Sequence, residues 1–117
     1  MATRATYRFI DRSDWRPITT VYNHWDGYPE GAASHLCTVR NAEDFIRRNE
    51  QSEITPGHEA HGDTEWRYDI YYGAGQEPTV EWFERKMPYT NFEHFESIDE
   101  IPLANFCERF GYKEEAA

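Results

Sequence analysis

Alternating apolar and polar side chains predict two β-strands near the start of the chain. Residues 5–11 place every second side chain on one face, with Ala5, Tyr7 and Phe9 together, and this period of two is typical of a strand. Residues 18–25 are rich in β-branched and aromatic types, which favours a second strand. A turn-like segment separates them, so an antiparallel hairpin is expected.

A turn and a helical pattern follow. Asp26, Gly27 and Pro29 are expected to build the turn, because aspartate binds backbone N–H groups, glycine permits positive φ, and proline fits the first helical position. Apolar residues then recur at steps of three and four to about residue 49, which predicts one helix over 30–49. Asn41 is the alternative point at which this helix would divide in two.

The second half of the chain predicts a further hairpin. Residues 50–64 lack periodicity and contain proline and glycine, so they are expected to form a long loop. Residues 66–72 and 79–85 alternate in the manner of strands. A weaker strand is expected over residues 89–95, where the aromatic positions do not keep a period of two.

The last predicted element is a helix. Ser97 and Glu100 match a capping box, apolar residues at helical spacing follow up to Phe110, and Gly111 is a natural stop. The pattern as a whole predicts an α+β fold with a four- or five-stranded antiparallel sheet and two helices. Residues 1–117 are expected to form a single domain, with a frayed tail over about 113–117.

The charge of the chain is negative and uneven. The net charge is −10, which argues against direct binding of nucleic acid or of an anionic membrane. Residues 1–48 hold seven arginines and six acids, whereas residues 49–117 hold five bases and sixteen acids. An ordinary solvated surface explains such acidity, and a surface for a basic partner is the alternative.

A series of carboxylates in the second half is the candidate partner-binding surface. Carboxylates two residues apart on a strand lie about 6.6 Å apart, similar to phosphates along a nucleic-acid strand. Interleaved aromatic side chains are candidate anchors, although a core also needs them. The candidate residues are Glu77, Glu81, Glu84, Glu93, Glu96, Asp99 and Glu100, and the aromatic ones are Trp82, Phe83, Tyr89, Phe92 and Phe95.

The two cysteines are candidates for a disulfide, a metal site or a redox site. Cys37 and Cys107 lie 70 residues apart and lack the short spacing of a zinc or redox motif. No secretory signal is recognised, so both are expected to be free, buried thiols, although their separation does not forbid a disulfide.

Acid-base or metal chemistry is the alternative to a binding role. His24 and Asp26 point the same way on a regular strand, and the loop residues His58, His61 and Asp63 are adequate ligands for zinc or manganese. No nucleophile accompanies them, and packed or solvated polar residues explain both segments. No cofactor, metal or catalytic residue is therefore expected.

Three strings resemble a group of small proteins encoded by bacteriophages and prophages. They are His24-Trp25-Asp26-Gly27-Tyr28-Pro29-Glu30-Gly31-Ala32-Ala33, residues 45–51 and residues 61–68. The group has no settled activity, so the resemblance assigns no site. It implies a small accessory phage protein that acts in a bacterial cytoplasm.

This origin favours a non-catalytic inhibitor of a host defence system, of anti-CRISPR type. Its acidic second half is expected to bind a basic nucleic-acid-binding surface of a host protein, without contacting nucleic acid or membrane itself. One alternative is a small metal-binding protein or enzyme that uses the histidine segments above. The other is a self-assembling accessory protein, with exposed aromatic side chains at a homodimer interface.

Overall fold

In the part of the chain that the structure describes, six strands form one sheet, and helical segments pack against one of its faces. The computed structural model describes residues 3–13, 16–23, 27–37, 45–47, 52–55, 64–85 and 95–110. The strands are β1 (Ala5–Asp11), β2 (Arg16–Asn23), β3 (Glu53–Thr55), β4 (Trp66–Tyr72), β5 (Thr79–Arg85) and β6 (Phe95–Pro102). The helices are α1 (Pro29–Leu36), α2, described over 45–47, and α3 (Leu103–Arg109).

The strand order is β3-β2-β1-β4-β5-β6. Four of the five strand pairs are antiparallel, but β1 and β4 pair in parallel at the centre, with Tyr7 opposite Tyr68. The mixed α and β content is confirmed. The expectation of four or five strands, all antiparallel, and two helices is wrong. The long connection through α1, α2 and β3 returns the chain to the end of the sheet where β1 starts, and such a crossover gives a parallel pair.

The helix predicted over 30–49 is not continuous, because α1 ends within this range and α2 is a second helical segment inside it. Pro29 is the first residue of α1, which ends at Leu36 with Cys37 as its C-cap. Asn41, the alternative dividing point, lies outside the described residues. The predicted loop over 50–64 contains the short edge strand β3, whose Ile54 is 71% exposed. A strand of three residues whose middle side chain is exposed shows no alternation of apolar and polar positions. The sequence pattern therefore did not predict β3.

The capping box at Ser97 and Glu100 is wrong, because both residues lie in β6. β6 pairs with β5, and α3 begins only after Pro102, its N-cap residue. Most of the weak strand predicted over 89–95 lies outside the described residues, as do Gly111 and the tail over 113–117.

Aromatic side chains fill the space between the sheet and the helices. We call this side, marked by Tyr7, Tyr68 and Trp82, the helix-covered face. Tyr7 stacks on Tyr68 with ring centroids 5.0 Å apart, and Trp82 contacts Phe106 of α3 at 5.1 Å. All four side chains are almost completely buried. Aromatic pairs in such geometries stabilise the fold beyond their burial alone.

Cys37 and Cys107 form a disulfide, with their Cα atoms 5.9 Å apart. The expectation of two free thiols is therefore wrong. The sheet brings the C-terminal end of α1 next to α3, and this proximity depends on the tertiary fold rather than on spacing along the chain. Among the described residues, no helix is long and apolar enough to cross a membrane.

Candidate partner-binding surface

β6 is an edge strand with an unusually exposed middle. It ends the strand order after β5, and its five consecutive residues 96–100 are all exposed. Three of them, Glu96, Asp99 and Glu100, are acids, and Ile98 between them is 42% exposed. The strand therefore presents carboxylates around one accessible apolar side chain.

The acids of β5 and β6 do not share one face of the sheet. Glu81 lies opposite Glu100, whereas Glu84 lies opposite Glu96. Side chains three apart on a strand point to opposite faces, so Glu84 lies on the helix-covered face with Trp82, and Glu81 lies on the other. The predicted array is thus divided by the sheet and is continuous only around its β6 edge.

Hydroxyl groups hold the opposed pair Glu81 and Glu100. Ser97 Oγ donates to Glu81 Oε2 at 2.8 Å, and Thr79 Oγ1 donates to Glu100 Oε2 at 3.1 Å. Arg12 in turn donates to Thr79 Oγ1 at 3.0 Å. Like charges directly opposite each other destabilise a sheet. The hydrogen bonds from the two hydroxyl groups stabilise the Glu81 and Glu100 carboxylates against this repulsion.

Asp99 has two partners that fix the C-terminal half of β6. Its carboxylate lies 3.6 Å from the guanidinium of Arg109, with both side chains half exposed. It also accepts a hydrogen bond of 2.8 Å from the backbone N–H of Glu100. An exposed ion pair of this kind contributes little to stability, but the hydrogen bond occupies a backbone donor of an edge strand.

An irregularity at Ile98 changes which way the acids face. Ser97 pairs with Phe83 and Asp99 with Trp82, so Ile98 has no residue opposite it in β5. The extra residue is a β-bulge, and it shifts the alternation of side chains by one. Glu96 and Glu100 would share a face of a regular strand, and the bulge places them on opposite faces.

The other predicted residues lie elsewhere. Glu77 is exposed in the turn before β5. Gly27 is required for a close approach rather than for positive φ, since a Cβ there would lie 2.7 Å from that of Ala5. The predicted residues outside the described part are Glu93, Asp26, His24, His58, His61 and Asp63, together with the aromatic Tyr89 and Phe92. The searched part of the chain holds no group of three metal-ligating side chains.

The three candidate aromatic anchors that the structure describes are buried or half buried. Trp82 is in the core, and Phe83 is half buried. Phe95 is also half buried, with the guanidinium carbon of Arg67 3.9 Å from its ring centroid, a cation–π contact. Ile98 is thus the accessible apolar side chain of the β6 surface, and residue type alone did not distinguish it.

An ion pair with a buried carboxylate was missed; it lies on the central strands, on the face of the sheet opposite the helix-covered face. Arg8 donates to both carboxylate oxygens of Asp69, at 3.0 and 2.9 Å, and the Asp69 side chain is only 4% exposed. The two residues are register partners in the parallel pair. A charged residue in the middle of a strand rich in aromatic side chains is a signal for such a partner, but the partner strand follows only from the topology.

Comparison with protein-family models, with curated proteins and with solved structures gives no significant match. The resemblance to phage-encoded proteins therefore stays a prediction.

Proposed function

We propose that this protein is a non-catalytic inhibitor that binds a basic, nucleic-acid-binding surface of a bacterial host protein through β6. The observation that supports this most directly is the run of exposed residues 96–100, with three carboxylates beside Ile98. A basic groove that accepts phosphates also attracts such carboxylates, and the attraction falls as salt rises. The class of inhibitor that the phage resemblance implies is of anti-CRISPR type, acting in the bacterial cytoplasm.

Ile98 gives this surface a candidate anchor. Binding energy in protein interfaces concentrates in a few buried side chains, while charged rims contribute more to association rate and partner choice. We expect Ile98 to enter an apolar recess of the partner. Lysines and arginines on the two sides of that recess would then face Glu96 and Glu100, which lie on opposite faces of the strand.

Self-assembly through β6 is the weaker proposal. Two copies of this strand would bring acids against acids, the bulge at Ile98 interrupts a flat edge, and Pro102 has no N–H to donate. Each of these features opposes edge-to-edge pairing of sheets. A homodimer through another surface stays a prediction, which sizing in solution tests.

The first experiment is capture of partners from bacterial lysate with the tagged protein, at low and at high salt. The test variant is Glu96→Lys/Glu100→Lys, and the control is Glu65→Lys/Glu108→Lys, which makes the same charge change at exposed residues outside β6. We expect a nucleic-acid-binding protein to be captured by the wild type and the control and lost with the β6 variant and at high salt.

Competition shows whether capture reflects inhibition. Addition of the nucleic acid that the captured protein binds should release it, because both ligands would occupy one surface. Equal capture by the two charge variants, or capture that nucleic acid does not compete, would reject the proposal. Since a bacterial cytoplasm keeps cysteines reduced, the experiment is run on the oxidised and on the reduced protein.

A further inference from the structure

The disulfide joins two helices that are far apart in the chain. Cys37 is the C-cap of α1 and Cys107 lies within α3, at a sequence separation of 70. Both residues are only partly buried. Both thus keep some exposure to solvent, and thiol–disulfide exchange with a small reagent depends on such access.

α3 depends on its attachments to remain helical. It has seven residues, and isolated helices of that length are not stable in water. The rings of Phe106 and of Phe110, the C-cap residue, contact the ring of Trp82, with centroid distances of 5.1 and 5.5 Å. Arg109 forms an ion pair with Asp99 of β6. The disulfide adds a covalent attachment on the side of α1.

We propose that the Cys37–Cys107 disulfide is a redox-sensitive clasp that holds α3 and the adjoining end of β6. Reduction by a dithiol opens it and leaves the sheet intact. The centre of the sheet is held separately, by the stacked Tyr7 and Tyr68 and by the Arg8–Asp69 pair. None of these contacts includes a cysteine, so the effect of reduction is local.

The exchange step is balanced by the dithiol. One thiolate of the reductant attacks a sulfur of the disulfide and forms a mixed disulfide, and the other protein sulfur leaves as a thiolate and takes up a proton. The second thiol of the reductant then attacks the mixed disulfide. Cys37 and Cys107 end as two thiols, and the dithiol ends as a disulfide after giving up two electrons.

β6 is coupled to the clasp through its own C-terminal end. The strand runs directly into α3, and the backbone N–H of Leu103 donates to the carbonyl of Pro78 at 2.8 Å. Movement of α3 therefore acts first on residues 99–102, through the junction and through the Asp99–Arg109 pair. This inference concerns the redox state of the fold and stands whether or not β6 binds a host protein.

Amide hydrogen exchange of the full chain, with and without dithiothreitol, tests the clasp. Short labelling times are used, so that only local openings contribute. We expect exchange in α3 and in residues 99–102 to rise about tenfold on reduction, with β1 and β4 unchanged. The variant Cys37→Ser/Cys107→Ser should exchange like the reduced protein in both conditions.

Three results would overturn the proposal. They are equal exchange of α3 in the two forms, a rise of the same size in β1 and β4, and resistance of the folded protein to dithiothreitol. If the double serine variant does not fold, the reduced wild type alkylated with iodoacetamide replaces it, and the same comparison applies.

Discussion

Gly27 shows how closely the backbone segments approach each other beside β1. Its N–H donates to the carbonyl of Thr3 at 2.9 Å, and its own carbonyl accepts a hydrogen bond of 2.6 Å from the hydroxyl of Tyr68. A Cβ at this position would lie 2.7 Å from Ala5 Cβ and 2.9 Å from Thr3 O. Neither neighbour is the end of a flexible side chain, so only a glycine fits without a shift of the backbone.

We expect Gly27→Ala to lower the free energy of unfolding by about 2 to 3 kcal/mol, the upper part of the range for an overpacked core. The control is Gly75→Ala. Gly75 has open space around it but a φ of +68°, so its substitution should cost only about 1 kcal/mol of backbone strain. Urea denaturation measures both. A smaller loss at Gly27 than at Gly75 would contradict the steric argument.

At the scale of the element, β4 carries three tyrosines, and the pKa of each hydroxyl is raised. Burial raises the pKa of Tyr68 well above its usual value, and nearby Tyr7 and Glu30 add to the effect. Burial, together with the charge of Asp69, Glu81 and Glu100, raises the pKa of Tyr71 to about 12. The pKa of Tyr72 is raised as well, by burial and by Asp11.

Because of these raised pKa values, the free energy of unfolding falls as the pH rises through the alkaline range. A tyrosine whose pKa is higher in the folded than in the unfolded state contributes its full stabilisation below its unfolded pKa, about 10, and loses it as the pH rises through the folded value. We expect the urea midpoint to fall between about pH 10 and 12, and Tyr68→Phe to make this fall shallower. Gly75→Ala, which leaves every tyrosine in place, is the control and should keep the wild-type slope.

The elements differ in how much of them the sequence predicts. The predicted bounds of β1, β4 and β5 are those observed, because aromatic and aliphatic side chains recur at every second position in each of these segments. β6 has no such period, since its middle is polar and exposed, and its Ser97 and Glu100 match a helix cap equally well. In this segment the local sequence pattern favours the start of a helix, but pairing with β5 makes it a strand.

The candidate surface was predictable in composition but not in shape. The residues of β6 were recognised as acidic, yet the bulge at Ile98 decides which face each carboxylate occupies. The disulfide, and the pairing of Arg8 with Asp69 61 positions away, join parts of the chain that only the topology brings together. Spacing along the chain does not encode such contacts.

At the scale of the whole molecule, the disulfide closes most of the chain into a loop. For cysteines 70 residues apart, the loss of unfolded-state entropy corresponds to about 4 kcal/mol of stability. We expect dithiothreitol to lower the free energy of unfolding by about this amount. Denaturant titration of both forms measures it, and Cys37→Ser/Cys107→Ser should not respond to the reductant. A wild-type change below about 1 kcal/mol would contradict the entropic account.

The parallel pairing of β1 with β4 also sets the order in which the chain folds. β1 has its antiparallel neighbour β2 within a few residues, but β4 begins only at Trp66. Contacts between segments so far apart in sequence slow folding, because a long loop must close before they form. During synthesis from the N-terminus, one side of β1 therefore stays without its neighbour until more than half of the chain has left the ribosome. Until the protein completes its own sheet, that uncovered edge is a place where a chaperone or a second nascent chain can bind.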